Sequence, residues 1–188
     1  MTEHLGSFVH CRSGRIVDPL DFGVEDVLIE DVAHALSNQC RFQGHTDGFY
    51  SVAQHAVICS LVVAPGFELD ALLHDASEYV LQDMARPLKT HPSLGQAYRG
   101  AEKRIQKCIA TRYGLRWPEP AEVKHADHIV FATEVRDLMD SGQLLLRWVT
   151  EFEIAGLEME EKIVGWSPRR ARREFLERFH QLYKEEDE

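Results

Sequence analysis

The sequence predicts an all-α fold built as a single compact domain. Apolar residues recur at helical spacing along most of the chain, and no strong alternating pattern typical of strands is present. A chain of 188 residues that is 44% hydrophobic can form one well-buried core and is too short for two independent domains. We therefore expect one helical bundle that spans residues 1–188.

The first part of the chain is expected to begin with an irregular arm over residues 1–22 and to continue with a helix that opens near Glu25. Residues 38–50 contain two glycines and many polar groups, which predicts a loop. Ser51 is a favourable N-cap for the next helix. That helix carries one continuous face of residues at spacings of three and four: Val52, His55, Ala56, Cys59 and Val63.

The middle of the chain predicts two further helices. A turn at 65–66 precedes a helix from about residue 68 to 80, and a loop over 87–92 follows it. Helical register then continues from 94 to 113 and stops at Gly114, a residue that commonly ends helices.

The last third predicts two helices separated by an ambiguous segment. One helix follows Pro118 and Pro120 and runs to Gly142, and the final helix covers about residues 168–184. The pattern between residues 144 and 165 does not decide between helix, strand and loop.

The composition limits the classes of function. A formal net charge of -10 argues against a stable complex with nucleic acid, because non-specific affinity depends on neutralising phosphates with lysine and arginine. We expect neither a signal peptide nor a membrane span, since the most apolar stretch is interrupted and stops at Pro65. The four cysteines are scattered and form no Cys-x-x-Cys pair, which favours a reducing cytoplasm over a disulfide scaffold.

The densest basic run lies at the predicted start of the last helix, after Ser167 and Pro168. It consists of Arg169, Arg170, Arg172 and Arg173. Four cations in the first turn of a helix oppose its dipole. We favour a solvated face in which these arginines pair with Glu174 and Glu177. The alternative is a contact with a phosphate or with another subunit.

Two imidazoles and two carboxylates from three predicted helices form a candidate metal shell. His74 and Asp75 end an apolar stretch, His55 lies 19 positions before His74, and Asp127 lies inside a later helix. Each alone has an ordinary explanation as a core histidine or a helix cap. Burying His74 and Asp75 without a partner would cost on the order of several kcal/mol, which favours a shared ion. The mixed set suits one divalent transition metal with roughly two octahedral positions left open.

Two further carboxylates are candidates for catalysis. Glu78 is four residues after His74 and three after Asp75, so on a helix it would project from the same face, and Asp83 follows within the next turn or loop. A carboxylate in such a position can take a proton from an attacking water, or give one to a leaving oxygen if its pKa is raised. The alternatives are an exposed helix carboxylate for Glu78 and a helix cap for Asp83.

Cations and an aromatic residue in the flanking loops are candidates for substrate binding. Arg41, Arg86 and Lys89 would contact phosphate, the arginines through their planar bidentate forks. Phe42, beside Arg41, would stack on a base. The alternatives are ordinary loop solvation for the cations and a packing role for the aromatic ring.

These motifs resemble the HD superfamily of metal-dependent phosphohydrolases over about residues 28–140. The resemblance is carried by His55 in Ser-Val-Ala-Gln-His-Ala, by His74-Asp75 in Leu-Leu-His-Asp-Ala-Ser-Glu, and by Asp127 in Lys-His-Ala-Asp. The extended string, with an aspartate five residues after the glutamate and Pro-Leu-Lys beyond it, is most similar to small bacterial 5′-deoxynucleotidases and phage dATP triphosphohydrolases.

The resemblance implies a helical homodimer in which the four candidate ligands hold one divalent ion. It also implies that Glu78 and Asp83 assist the attacking water and that Arg41 contacts the nucleotide. Two positions depart from the family pattern: Phe42 stands where tryptophan is expected in close relatives, and Gln54 stands where glutamate is common. The first departure bears on base and sugar selectivity. The ligand set accepts manganese, iron, cobalt, nickel or zinc.

The expected reaction is the hydrolysis of a deoxynucleoside 5′-monophosphate to nucleoside and phosphate. The alternative within the same class is a triphosphohydrolase that releases nucleoside and triphosphate. A dinuclear phosphodiesterase would need further ligands such as His91, His125 and His128, and their spacing is a poor fit. From a different class, a non-catalytic nucleotide sensor would keep the metal for folding, which the presence of Glu78 and Asp83 argues against.

Overall fold

A computed structural model gives the structure of the chain and describes residues 8–139 and 156–184. These residues are mostly helical. One small antiparallel sheet joins β1 (Val9–His10) to β2 (Ile16–Val17). The sequence predicted an irregular arm here, and that prediction is wrong for these four residues. The pairing covers only two residues on each strand, too few to produce an alternating pattern that the sequence could display.

Eight α-helices follow the sheet within the described residues. Their bounds are α1 (Ile29–Asn38), α2 (Val52–Val62), α3 (Glu68–Leu72), α4 (Glu78–Leu81), α5 (Arg86–Thr90), α6 (Leu94–Tyr113), α7 (Ala121–Leu138) and α8 (Pro168–Leu182). Short 3-10 turns cover Val24–Asp26 and Arg41–Gly44. None of the helices described is both long and apolar enough to cross a membrane.

Helix α2 lies at the centre of the fold, where it packs against α1, α3, α7 and α8. Its predicted N-cap is confirmed, because the Ser51 hydroxyl accepts a hydrogen bond from the backbone N–H of Gln54 at 3.1 Å. Two apolar clusters meet at this helix. One contains Leu36, Ile105 and Phe175, and the other surrounds Tyr50. Because packing covers α2 on several sides, even its polar residues are removed from solvent.

The helix predicted from about residue 68 to 80 is divided, so that prediction is wrong in its middle. Helices α3 and α4 are separated by five residues in turns. The cause is Gln106 on α6, whose amide donates to the carbonyl oxygen of Leu73 at 2.7 Å and accepts from the N–H of Ser77 at 3.1 Å. This side chain replaces helical hydrogen bonds, and its distance along the chain leaves no local signal.

The other predicted boundaries hold with three exceptions. The helix predicted to open near Glu25 begins at Ile29 as α1, after a separate 3-10 turn over Val24–Asp26. Helix α6 ends as predicted, with Gly114 in the left-handed conformation at φ 65°. The loop predicted over 87–92 contains most of α5, which has Pro87 in its first turn, where proline is tolerated. Helix α7 ends at Leu138 rather than at the predicted Gly142. Of the ambiguous segment, only residues 156–165 fall within the described part, and they form no helix or strand.

Candidate functional site

The structure brings the four predicted metal ligands together where α2, the α3–α4 turn and α7 meet. His55 Nε2 lies 3.3 Å from His74 Nε2 and 3.2 Å from Asp127 Oδ1. Asp75 Oδ2 lies 3.2 Å from His74 Nε2 and 3.7 Å from His55 Nε2. Ring nitrogens and carboxylate oxygens from three parts of the chain therefore face one point.

Each histidine is oriented by an acceptor at its other ring nitrogen. His55 Nδ1 lies 2.6 Å from Glu134 Oε1, and His74 Nδ1 lies 2.7 Å from the carbonyl oxygen of Ala71. A proton on each Nδ1 directs the Nε2 lone pairs at the shared point. Metal-binding histidines commonly have this arrangement. On this observation, the residues fit a divalent metal ion.

The cluster is closed on its histidine side and open on its carboxylate side. The side chain of His55 is fully buried and that of His74 is 5% exposed, whereas Asp75 and Asp127 are 25% and 36% exposed. A ligand from solvent would therefore approach past the two aspartates.

Close pairing in a buried setting perturbs every pKa in the cluster. Burial alone would lower the pKa of His74, but the charge of Asp75 raises it to about 10. Burial alone would raise the pKa of Asp75, but His74 holds it well below its ordinary value. Burial likewise opposes ionisation of Asp127, whose pKa falls to about 2 through a hydrogen bond with His55. Protons on the imidazoles thus balance the carboxylates, and a metal ion would compete with these protons.

Cys59 also lies at the cluster, although the sequence interpretation did not assign it there. Cys59 Sγ is 3.4 Å from His55 Nε2. It belongs with His55, His74 and Asp127 to a group whose ligand atoms lie within 4.8 Å of one another, and the predicted ligand Asp75 is not a member of this group. The available signal was its position one helical turn after His55. A thiol ligand would favour zinc or cobalt over magnesium. Glu119 lies in the segment before α7. Burial raises its pKa, and the charges of His74, Asp75 and Asp127 also act on it.

Arg41 and Glu134 form an ion pair behind the cluster. Arg41 Nη2 lies 3.1 Å from Glu134 Oε2, and Arg41 Nη1 lies 3.4 Å from Asp75 Oδ2. Burial alone would raise the pKa of the fully buried Glu134, but the charges of Arg41 and His55 hold it below its ordinary value. The sequence interpretation missed Glu134, although it follows Asp127 by two helical turns on the same face of α7.

The loop that carries Arg41 is closed at its base. The N–H of Arg41 donates to the carbonyl oxygen of Tyr50 at 3.0 Å, and Cys40 and Ser51 form an isolated antiparallel bridge. This closure holds Arg41 beside Tyr50, which lies two residues before α2, the helix that carries His55. A predicted substrate contact is therefore held at the centre, with both terminal nitrogens near carboxylates.

Phe42 continues this loop in a strained conformation. Phe42 and Gln43 have φ angles of 52° and 51°, a left-handed region that costs about 1–2 kcal/mol per residue. The ring of Phe42 stacks on Phe131 with centroids 5.9 Å apart. Phe131 lies one turn after Asp127 on α7, so the stacked pair adjoins the carboxylate side of the cluster. Phe42 thus has a packing contact, and its predicted role in base stacking stays a prediction.

Glu78 is the first residue of α4, and Asp83 lies two residues after the last residue of this helix. Glu78 is 5% exposed, and its Oε2 has no hydrogen-bond partner among the described residues. Burial, together with the charges of Asp75 and Asp83, raises the pKa of Glu78 well above its ordinary value. Burial also raises the pKa of the partly exposed Asp83. Gln82, just before Asp83, has φ 66° and ψ 155°, a region that is strained for residues other than glycine.

The remaining predicted substrate contacts lie on α5. Arg86 is exposed at the first residue of this helix. Lys89 forms an ion pair with Glu102, which raises the lysine pKa although burial opposes this change. The structure gives the dinuclear alternative no support, because the candidate metal group found within residues 8–139 and 156–184 does not contain the additional histidines at positions 91, 125 and 128.

Two curated proteins are similar to the chain. It is 41% identical over 177 residues to the uncharacterized protein YfdR of Escherichia coli, a match that covers 94% of this chain and 96% of YfdR. It is also 41% identical over 123 residues to an uncharacterized protein of Rhodobacter capsulatus, covering 61% of this chain and 62% of that protein. No protein-family model matches the chain.

Proposed function

The chain belongs to the family of YfdR of Escherichia coli, and we propose that this member is a metal-dependent phosphohydrolase of the HD superfamily. Its proposed reaction converts deoxynucleoside 5′-monophosphates to nucleosides and phosphate. The observation that carries the proposal is the convergence of two imidazole Nε2 atoms and two carboxylates, with both Nδ1 atoms held by acceptors. We further propose that the protein is a homodimer, as the family resemblance implies, and that it lies in the cytoplasm, as its scattered cysteines indicate.

The proposed cofactor is one divalent ion of cobalt, manganese, zinc, iron or nickel, held by His55, His74, Asp75 and Asp127. When bound, such an ion supplies Lewis-acid polarisation of a phosphoryl oxygen and acidifies water. Glu134 fixes the ring of His55, and Ala71 fixes the ring of His74. These contacts keep the nitrogens directed at the ion through each turnover.

Glu78 and Asp83 are proposed to move the protons. Water attacks phosphorus, the bond between phosphorus and the 5′ oxygen breaks, and the leaving oxygen takes up a proton. The raised pKa of Glu78 favours its protonated form, which suits the donor to the leaving oxygen. Asp83, which lies two residues after α4 and is more exposed, would accept the proton that the attacking water loses.

The charges around α5 favour a monophosphate over a triphosphate. A triphosphate needs unpaired cations beyond the α-phosphate, since arginine and lysine supply the contacts to its outer oxygens. The charge of Lys89 is already opposed by Glu102. Arg41 is likewise paired, with Asp75 and Glu134, but it lies at the cluster itself, so we propose it as the contact for a single phosphoryl group near the metal ligands.

The proposal is tested by incubating metal-loaded protein with a panel of ribo- and deoxyribonucleoside monophosphates and triphosphates. Products are separated by chromatography, phosphate is quantified, and bound metal is counted. We expect one ion per chain and turnover of deoxynucleoside monophosphates. The Asp75→Ala protein should lose at least about 1,000-fold in turnover, because both a ligand and the partner of His74 are removed.

Asp21→Ala is the matched control, because Asp21 is an exposed aspartate in the N-terminal arm. Its turnover should equal that of the unmodified protein, and thermal melts should establish that both variants are folded. Release of triphosphate would favour the triphosphohydrolase. Metal-dependent nucleotide binding without turnover of any substrate would favour the sensor and overturn the proposed hydrolysis.

A further inference from the structure

A cavity of about 560 Å³ lies between the end of α1 and the first turn of α8, and none of its described lining residues belongs to the candidate metal centre. We call it the α1–α8 groove. Its polar lining residues are His34, Ser37, Asn38, Arg169, Arg172 and Arg173. A cavity of this volume lies within the range of small-molecule sites, about 300–1,000 Å³.

The groove concentrates positive charge in a chain whose formal net charge is -10. Its described lining includes three arginines and no carboxylate. The positive end of the α8 dipole lies at the same place and adds to the potential. The groove is therefore positively charged although the protein as a whole is negatively charged, so it would attract an anion.

The arginines of this run divide into two groups. The pairing expected from the sequence is present for Arg173, whose Nη2 lies 2.6 Å from Glu174 Oε1, and for Arg170, whose Nε lies 3.7 Å from the same oxygen. Across the described part of the chain, no ion pair is found for Arg169 or Arg172. The Nε of Arg172 is shielded from solvent and has no hydrogen-bond partner there.

Arginine presents its donors in a planar fork that matches phosphate oxygens. Several such forks around a cavity larger than one phosphate ion fit a ligand with more than one phosphoryl group, or a phosphate attached to a larger body.

The walls of the groove are also connected to the candidate metal centre. Asn38, which lines the groove, is followed by Gln39, whose side chain donates to the carbonyl oxygen of Glu78 at 2.9 Å. Next to the other wall, the N–H of Trp166, two residues before the lining residue Pro168, donates to the side chain of Gln54 at 2.7 Å. Gln54 directly precedes His55, so both walls are tied to residues beside the centre.

From the cavity, its lining of arginines without carboxylates and the absence of ion pairs for Arg169 and Arg172 in the described part of the chain, we propose that the α1–α8 groove is a second binding site, which takes a phosphate-bearing anion of pyrophosphate to nucleotide size. The site is separate from the proposed hydrolytic centre and does not depend on the reaction assigned to that centre.

The test is a calorimetric titration of full-length, metal-loaded protein with inorganic pyrophosphate and, separately, with AMP. The Arg169→Gln/Arg172→Gln protein should bind the better probe at least about tenfold more weakly. Arg170→Gln is the matched control, because Arg170 lies on the same helical turn but pairs with Glu174 and packs on Trp166. Its affinity should stay within about twofold. Tighter binding of AMP would identify a nucleotide, and tighter binding of pyrophosphate a free polyphosphate.

A second measurement locates the ligand without relying on the arginine variants. The ring signals of His34, assigned in the NMR spectrum with His34→Gln, should shift on titration, because this imidazole lines the groove. The proposal is overturned if neither probe binds saturably, or if the His34 signals do not move at saturation. It is also overturned if affinity is lost in Asp75→Ala but kept in the arginine double variant, since the ligand would then sit at the metal centre.

Discussion

The candidate metal centre and the α1–α8 groove both concentrate charge, but they balance it in opposite ways. At the centre, buried imidazoles and carboxylates oppose one another, with Arg41 and Glu134 behind them. In the groove, two exposed arginines and one partly buried arginine share one cavity, and only part of the run has carboxylate partners. The centre therefore has a geometry imposed by the protein itself, whereas solvent and salt moderate the charges of the groove.

This difference predicts where a substitution will be costly. Removing one member of a buried pair leaves an uncompensated charge, at a cost of about 3–5 kcal/mol. Removing an exposed cation changes folding stability little, because water already solvates it. The four changes below follow that contrast, beginning with the largest expected effect.

Glu134→Ala is expected to have the largest effect, because it removes one buried charge from the candidate metal centre. This change leaves Arg41 and His55 without their buried partner, so the free energy of unfolding should fall by about 3–5 kcal/mol. Metal affinity should fall about 10–100-fold, because the ring of His55 loses its orienting acceptor. Urea unfolding and a competitive metal titration measure the two effects.

Glu122→Gln is the matched control for this change, since Glu122 is exposed on the same helix. It should alter stability by no more than about 0.5 kcal/mol. Glu134→Gln keeps the volume and should retain more stability than alanine while still weakening metal binding. Unchanged metal affinity in both Glu134 variants would show that the contact with His55 has no role in orientation.

Removal of the metal should make stability depend on alkaline pH. His74 has a folded-state pKa of about 10, against about 6.5 in the unfolded chain. The contribution of the His74 proton to folding stability is fully present below the unfolded-state pKa and is lost as pH rises through the folded-state pKa of about 10. The free energy of unfolding of the metal-free protein should therefore fall between these two pKa values. The slope for one proton is at most about 1.4 kcal/mol per pH unit.

Metal-loaded protein should behave differently, because the ion replaces the protons between the imidazoles and carboxylates. Urea midpoints at pH 7 and pH 9.5, with and without metal, test this contrast. The two forms should diverge as pH rises. Parallel behaviour of the two forms would mean that His74 is not a ligand of the ion.

Cys59→Ala tests whether the thiol contributes to the centre. Cobalt-loaded wild-type protein should show thiolate-to-cobalt charge-transfer absorption, and the variant should lose it. The preference for zinc over manganese should fall by about tenfold, because a soft ligand is removed. Cys40→Ala is the control, since Cys40 is a free, exposed thiol. A spectrum that does not differ between Cys59→Ala and wild type would remove Cys59 from the ligand set.

The smallest expected effect is on the stability of the Arg169→Gln/Arg172→Gln protein without ligand. Because Arg169 is exposed and Arg172 is only partly buried, the free energy of unfolding should change by no more than about 0.5 kcal/mol. Adding pyrophosphate should raise the melting temperature of the wild type more than that of the variant. If the free energy of unfolding without ligand fell by several kcal/mol, the arginines of the groove would contribute to folding stability as the buried charges of the centre do.

Local chemistry explains which parts of this architecture could be predicted from the sequence. The caps at Ser51 and Ser167 and the stop at Gly114 depend on neighbouring residues, so the sequence contains their signals. The juxtaposition of His74 and Asp75 with His55 was predicted because adjacent buried polar groups need partners, whatever the fold around them.

The features that were missed depend on contacts between distant parts of the chain. The break between α3 and α4 is made by Gln106, which lies 33 residues after Leu73. The strained turn at Phe42 is supported by a ring on α7. Glu134 was partly predictable. Its helical spacing from Asp127 can be read from the sequence, but its pairing with Arg41 depends on the folded chain.

The hydrogen bond that closes the base of the loop between Arg41 and Tyr50 makes the position of Arg41 independent of the length of the loop tip. The exposed tip, around residues 43–48, lies beyond the hydrogen bond that fixes Arg41. Lengthening a closed loop costs only about 0.6 kcal/mol for each doubling of its length. Libraries of inserted residues at this tip would therefore vary the surface beside the stacked phenylalanine pair while Arg41 and the candidate metal centre keep their positions.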